Sequence, residues 1–145
     1  MNYPSVFNAR KNFSISDSGF TPETGYSWVT IATPYGHFTG TARVHPTDLE
    51  KGYYTSITGQ TIAHARAYIA YLKYQKQVMR IIAQEVKVIW ARAPKNTTTS
   101  LALKKALKDY DENISDLTSE IKDVYAAIEE RINHTAEYFN KARNK

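Results

Sequence analysis

The sequence predicts an α+β fold: a small N-terminal antiparallel β-sheet followed by a long antiparallel helical hairpin. Three observations carry it. Residues 1–58 are rich in Thr, Ser, Gly, Pro and aromatics, whereas from about Gly59 onward Ala, Lys, Glu, Leu and Ile take over. Two β-rich runs flank a Pro-Tyr-Gly turn inside the first part. In the second part apolar residues recur every three or four positions, the signature of amphipathic helices. The 145 residues suit a single domain, residues 1–58 being a β-rich head and residues 59–145 a helical, oligomer-forming body.

Within the head, Tyr26 to Thr33 and His37 to Val44 surround Pro34-Tyr35-Gly36, so a β-hairpin is expected at about residues 26–44. Proline presets φ at the first turn position, and glycine can take the left-handed conformation of a three-residue loop. Pairing Thr33 with His37 puts Tyr26, Trp28, Thr30, Ala32, Phe38, Gly40, Ala42 and Val44 on one face. Trp28 then stands beside Gly40 and Ala42, leaving room for a flat group or a close-packed helix. Asn12 to Ser16 reads as a further strand with Asp17-Ser18-Gly19 as its turn, since two strands alone are seldom stable. His45-Pro46-Thr47-Asp48 reads as a turn, and Tyr53-Tyr54 as a short extended piece.

The first helix is expected at about residues 59–93, with Ile62, Ala65, Ile69, Leu72, Met79, Ala83, Val86 and Trp90 on its apolar side. Pro94 ends it, and Asn96 or a following threonine caps the second helix, at about residues 98–142. There Leu103, Leu107, Tyr110, Ile114, Leu117, Ile121, Val124 and Ile128, then Thr135, Tyr138 and Ala142, alternate in steps of four and three, the 3.5-residue repeat of a coiled-coil seam. At 1.5 Å per residue that helix is roughly 65 Å long. A small sheet cannot cover so long an apolar stripe, so a homo-oligomer is expected.

Composition narrows the chemistry. Without cysteine there are no disulfides, thiolate metal sites or cysteine nucleophiles. No apolar run reaches the roughly 18 residues of a membrane span, and MNYPSVFNARKNF has no signal-peptide core. His37, His45, His64 and His134 form no metal-binding spacing, and there is neither a phosphate-binding glycine loop nor a nucleophile elbow. The expectation is a protein that is not an enzyme and carries no metal or cofactor.

The net charge of +5 is unevenly spread. Residues 1–55 carry four cations and four anions, residues 56–95 seven cations and one anion, and residues 96–145 eight cations and nine anions. Arg66, Lys73, Lys76, Arg80 and Lys87 share one side of the first helix. They either pair with the acidic second helix or offer a cationic strip to phosphate. Such local charge suits a small phosphorylated ligand better than long nucleic acid, which the acidic helix repels. The head aromatics Tyr26, Trp28, Tyr35, Phe38, Tyr53 and Tyr54 serve either as core or, beside Arg43, as stacking surfaces for a base.

Trp28-Val29-Thr30, Gly36-x-Phe38-x-Gly40-x-Ala42, His45-Pro46-x-Asp48 and Ala63-x-x-Arg66-Ala67 lie within roughly residues 26–75. On these motifs the chain resembles small phage and prophage proteins of the Thoeris anti-defence type, in the first of their two families. The resemblance implies a molecular sponge acting in the host bacterial cytoplasm. It would bind, without cleaving, the cyclic ADP-ribose isomer made by bacterial TIR-domain enzymes. It further implies dimers that assemble into hexamers, and in some members a separate site for cyclic di- or trinucleotides. The family's ligand residues do not map one by one onto the helices, so the candidate set is chemical: Trp28, Tyr35 and Phe38 to stack on a base, and Arg43, Arg66 and Arg131 to hold phosphate. Arg131, or its neighbour Ile132, stands where the seam expects an apolar residue. The competing reading is a coiled-coil adaptor that blocks a host protein through its helical surface. A third is a small nucleic-acid binder, which predicts steep salt dependence.

Overall fold

The structure is a computed structural model that describes residues 13–143. Strands β1 (Ser14–Thr21), β2 (Tyr26–Thr33) and β3 (Gly36–Arg43) form an antiparallel sheet in the order β1-β2-β3. A short helix α1 (Pro46–Lys51) leads into the long helices α2 (Ser56–Arg92) and α3 (Thr98–Arg143). The α+β class, the sheet-then-helices order and both long helices are as the sequence predicts.

The local details differ in three places. The expected strand at Asn12 to Ser16 is instead the eight-residue β1, Asn12 itself lying outside the described residues. Asp17-Ser18-Gly19 is not a turn but the middle of that strand, after an irregularity in register between Ile15 and Asp17. Gly19 is there because the ring of Trp28 lies against it, where a Cβ would collide. The turn falls later, at Pro22–Gly25, with Gly25 at φ 66° and its N–H donating to the Thr21 carbonyl at 2.8 Å.

The hairpin register is also shifted by one residue. Thr33 pairs with Gly36 rather than His37, so the loop is only Pro34-Tyr35. Gly36, at φ 121°, begins the ladder instead of ending the loop, and the Thr33 hydroxyl donates to its carbonyl at 2.8 Å. A one-residue slip exchanges faces between paired strands. Val29 and Ile31 of β2 are consequently buried beside Gly40 and Ala42 of β3, while Trp28 pairs with Thr41 on the opposite side. The predicted room for a close-packed helix exists at Gly40 and Ala42, but Trp28 is not beside it.

The third difference concerns residues 44–58. His45-Pro46-Thr47-Asp48 is the start of α1, with Pro46 in its first turn and the His45 ring Nδ1 accepting the Thr47 N–H at 3.2 Å. Gly52 ends it in the left-handed conformation, φ 72°. Tyr53-Tyr54 is not a strand; it crosses to α2, which begins three residues before Gly59 because Thr55 caps it by accepting the Thr58 N–H at 3.1 Å. After α2, Asn96 takes φ 62°, and the Thr97 hydroxyl accepts the Ser100 N–H at 3.1 Å to cap α3.

Helix α2 is buried on two sides. Toward the sheet, Ala63 and Ala67 pass directly over Gly40, and Tyr71 stacks on Phe38 with ring centroids 5.4 Å apart. Toward α3, the Tyr68 hydroxyl donates to the buried Glu120 carboxylate at 3.3 Å, among Leu117, Val124 and Ile128. His64 sits half-buried with Phe13 edge-on at 6.2 Å, and burial pushes its pKa below the ordinary 6.5. Between that lowered value and 6.5 the unfolded chain binds the proton the folded chain refuses. Stability is therefore full above pH about 6.5 and falls as the pH drops below it. Melting curves from pH 7.5 to 5 should show that decline flattened in His64→Gln; an equal decline in both proteins would assign it to other groups.

Candidate functional site

The end of the molecule where β3, α2 and α3 meet is built by chain reversal. β3 ends at Arg43, α1 carries the chain outward, and Gly52 turns it back. The Tyr53 N–H donates to the Asp48 carbonyl at 2.8 Å, fastening residues 53–55 as a strap that leads into α2. Because α2 and α3 are antiparallel, the last turns of α3 return to this point.

Two cavities result. One, of about 270 Å³, is lined by Arg43, His45 and Asp48 from the head, Tyr53 and Tyr54 from the strap, Ile62 of α2, and Ile132 and Asn140 of α3. The second, of about 260 Å³, is lined by Ile57, Arg131, His134 and Tyr138. Thr55, Thr58, Thr135 and Phe139 line both, so the cavities are neighbours across a shared wall. The hydroxyls of Thr55 and Thr58 are hydrogen-bonded at 2.7 Å, and that of Thr135 donates to the Arg131 carbonyl at 2.9 Å. Each cavity thus has one arginine among its lining residues, with aromatic wall and hydroxyl groups. That set can hold phosphate by charge-assisted hydrogen bonds and a flat ring by stacking. Among the described residues no group of three His, Asp or Glu side chains is arranged to hold a metal ion. Nor, among them, is any helix long and apolar enough to cross a membrane.

The six residues proposed from sequence fall in four places. Arg43 and Arg131 come together on the adjacent cavities. Trp28 is near the first by way of the outer sheet face: it stacks on Tyr26 at 5.8 Å, and the Arg43 guanidinium lies 5.9 Å above the Tyr26 ring. The Trp28 indole N–H donates to Asp17 at 3.2 Å. Tyr35 and Phe38 lie at the hairpin tip, at the other end of β3, in an aromatic cluster with Tyr71 and Tyr74 at centroid distances of 5.4–6.2 Å. Arg66 donates to the Thr41 carbonyl at 2.8 Å, on the edge strand of the sheet. Within the cationic strip, Lys73 donates to the Tyr125 hydroxyl at 2.8 Å and lies over its ring.

Phe139 is off the α3 seam and carries no signal in the sequence, whereas Tyr53 and Tyr54 stand among the head aromatics that the sequence offers as core or as stacking surfaces, on an expected short extended piece. The signal that points to the latter is Gly52 after a Pro-initiated helix, which marks a reversal that aims the following residues inward. No family model, no curated protein and no solved structure matches this chain.

Proposed function

We propose that this protein sequesters a cyclic ADP-ribose-type signalling nucleotide, the product of bacterial TIR enzymes, without cleaving it. In this reading it is a phage-encoded immune-evasion protein of the host cytoplasm, and cyclic di- or trinucleotides are secondary ligands. The observation that carries the reading is the placement of Arg43 and Arg131 on two cavities with a common wall. Each cavity alone is just below the range of about 300–1,000 Å³ usual for ligand sites, and the pair reaches it. A ligand with phosphoryl groups and a base suits two cavities that have an arginine and aromatic residues in each lining. Sequestration needs tight binding of the ground state and no selective stabilisation of a transition state.

The test is capture and release. Purified protein is incubated with cyclic ADP-ribose isomers and cyclic oligonucleotides, freed of unbound ligand and heated, and the released compound is identified by mass spectrometry. Intact nucleotide at near-stoichiometric yield supports a sponge. An altered product makes the protein an enzyme, and an empty protein sinks the reading for that panel.

A second reading, the adaptor, is favoured by the far end of the hairpin. There Ile81, Val88, Ile89, Trp90 and Leu101 are exposed, Ile89 at 56% and Leu101 at 63%. Both readings cover this surface, the sponge with further copies of the chain, as dimers assembling to a hexamer. Arg80 and Lys87 on α2 and Asp109 and Asp116 on α3 are exposed, charges of opposite sign that neighbouring copies can pair. Ile89→Glu with Trp90→Glu should lower the mass measured by light scattering to that of a smaller species. An unchanged mass would place self-association elsewhere.

A further inference from the structure

An aromatic run passes from one cavity to the other. Tyr53 lines the first, Tyr138 lines the second, and Phe139 lines both. Phe139 is 5.5 Å from Tyr53, tilted by 41°, and 5.1 Å from Tyr138, nearly perpendicular at 80°. It is half-buried, and Tyr138 is 64% exposed, so the run descends from solvent into the cleft. Arg131 stands on the Tyr138 side and Arg43 on the Tyr53 side. An aromatic surface between two cavities, each with an arginine among its lining residues, suits a ligand with a ring to stack and phosphate beside it.

We infer that Phe139 is the stacking surface for a purine ring of the bound nucleotide, and so the residue that allows one ligand to occupy both cavities. This rests on the nucleotide-binding reading above and assigns the base to Phe139 rather than to Trp28, Tyr35 or Phe38. Those three lie on the outer sheet face or at the hairpin tip, and none lines either cavity. Removing the ring takes away base stacking but leaves both arginines in place. Because an aromatic neighbour on each side holds the ring, a larger flat side chain can keep the surface.

The experiment measures binding of cyclic ADP-ribose to the full chain by calorimetry, in wild type, Phe139→Ala and Phe139→Trp. Phe139→Ala should weaken binding by about tenfold, the usual loss when one base-stacking aromatic is truncated. Phe139→Trp should bind within about threefold of wild type, and its added indole emission, taken as the difference from wild type, should be quenched by the ligand. Inorganic pyrophosphate, which has no ring, should leave that emission unchanged. The assignment is overturned by Phe139→Ala binding as tightly as wild type, or by Phe139→Trp binding without quenching. A loss in both variants would make the ring a packing element and overturn it as well. If wild type itself takes up no cyclic ADP-ribose, the nucleotide reading fails and this assignment with it. An unaltered Phe139→Ala beside a binding wild type removes the assignment alone.

Discussion

Arg43→Ala is expected to abolish retention of cyclic ADP-ribose, lowering affinity by at least about thirtyfold while the protein stays folded. Truncating one partner of a desolvated charge pair costs on the order of 2–5 kcal/mol, and every 1.4 kcal/mol is tenfold. Arg43 has no described duty in the core: it is exposed at the end of β3, its guanidinium lies over the Tyr26 ring, and the residue is part of the lining of the larger cavity. Arg43→Lys should fall between, since it keeps the charge and loses the planar fork. Arg66→Ala is the informative partner. Its guanidinium is bonded to the Thr41 carbonyl, so the variant should bind normally. A loss as large as that of Arg43→Ala would put Arg66 on the ligand and move the site toward the sheet edge.

Gly40→Val should be the most damaging single substitution in the sheet. A Cβ at this position would enter the backbone of α2, against the Ala63 carbonyl and the Ala67 nitrogen. Backbone cannot rotate away as a flexible side chain can, so either the helix lifts from the sheet or the strand shifts. Overpacking of a fitted core costs typically 1–3 kcal/mol and more when nothing yields. We expect about 3 kcal/mol or above, a fall on the order of 10 °C in Tm for a chain of this size. A Tm within 2 °C of wild type, about 0.5–1 kcal/mol, would show that α2 and β3 do not meet so closely.

What the sequence makes legible follows from the length over which each signal accumulates. The α3 seam repeats from Leu103 to Ile128, long enough for its period to be unambiguous, and Leu117, Val124 and Ile128 are indeed buried. The hairpin is equally clear, but its register hangs on one residue. Gly36 satisfies a loop position and the first ladder position alike, and the choice reverses which side chains of the pair share the core face. Helix α1 has six residues, too few for a period, and Pro46 looks the same in a turn as in a first helical turn. For the candidate site, chemistry proposes Arg43 at a strand end and Arg131 by its place on the seam. Phe139 escapes, and Tyr53 is only one of several head aromatics that could stack, because their pairing is tertiary. They are far apart in the chain and become neighbours only when α3 folds back to the strap after α1.

Helix α2 lies between the sheet on one side and α3 on the other, with Ala63 and Ala67 over Gly40 and Tyr68 reaching Glu120. Its two halves of partners differ in composition and look exchangeable on paper. They are not. A recombination event between residues 44 and 98 would deliver either a sheet without its cover or a helix without its mate. Descent of this chain is therefore expected to proceed by substitution and by change at its ends, and the sheet and the helical hairpin to be inherited together.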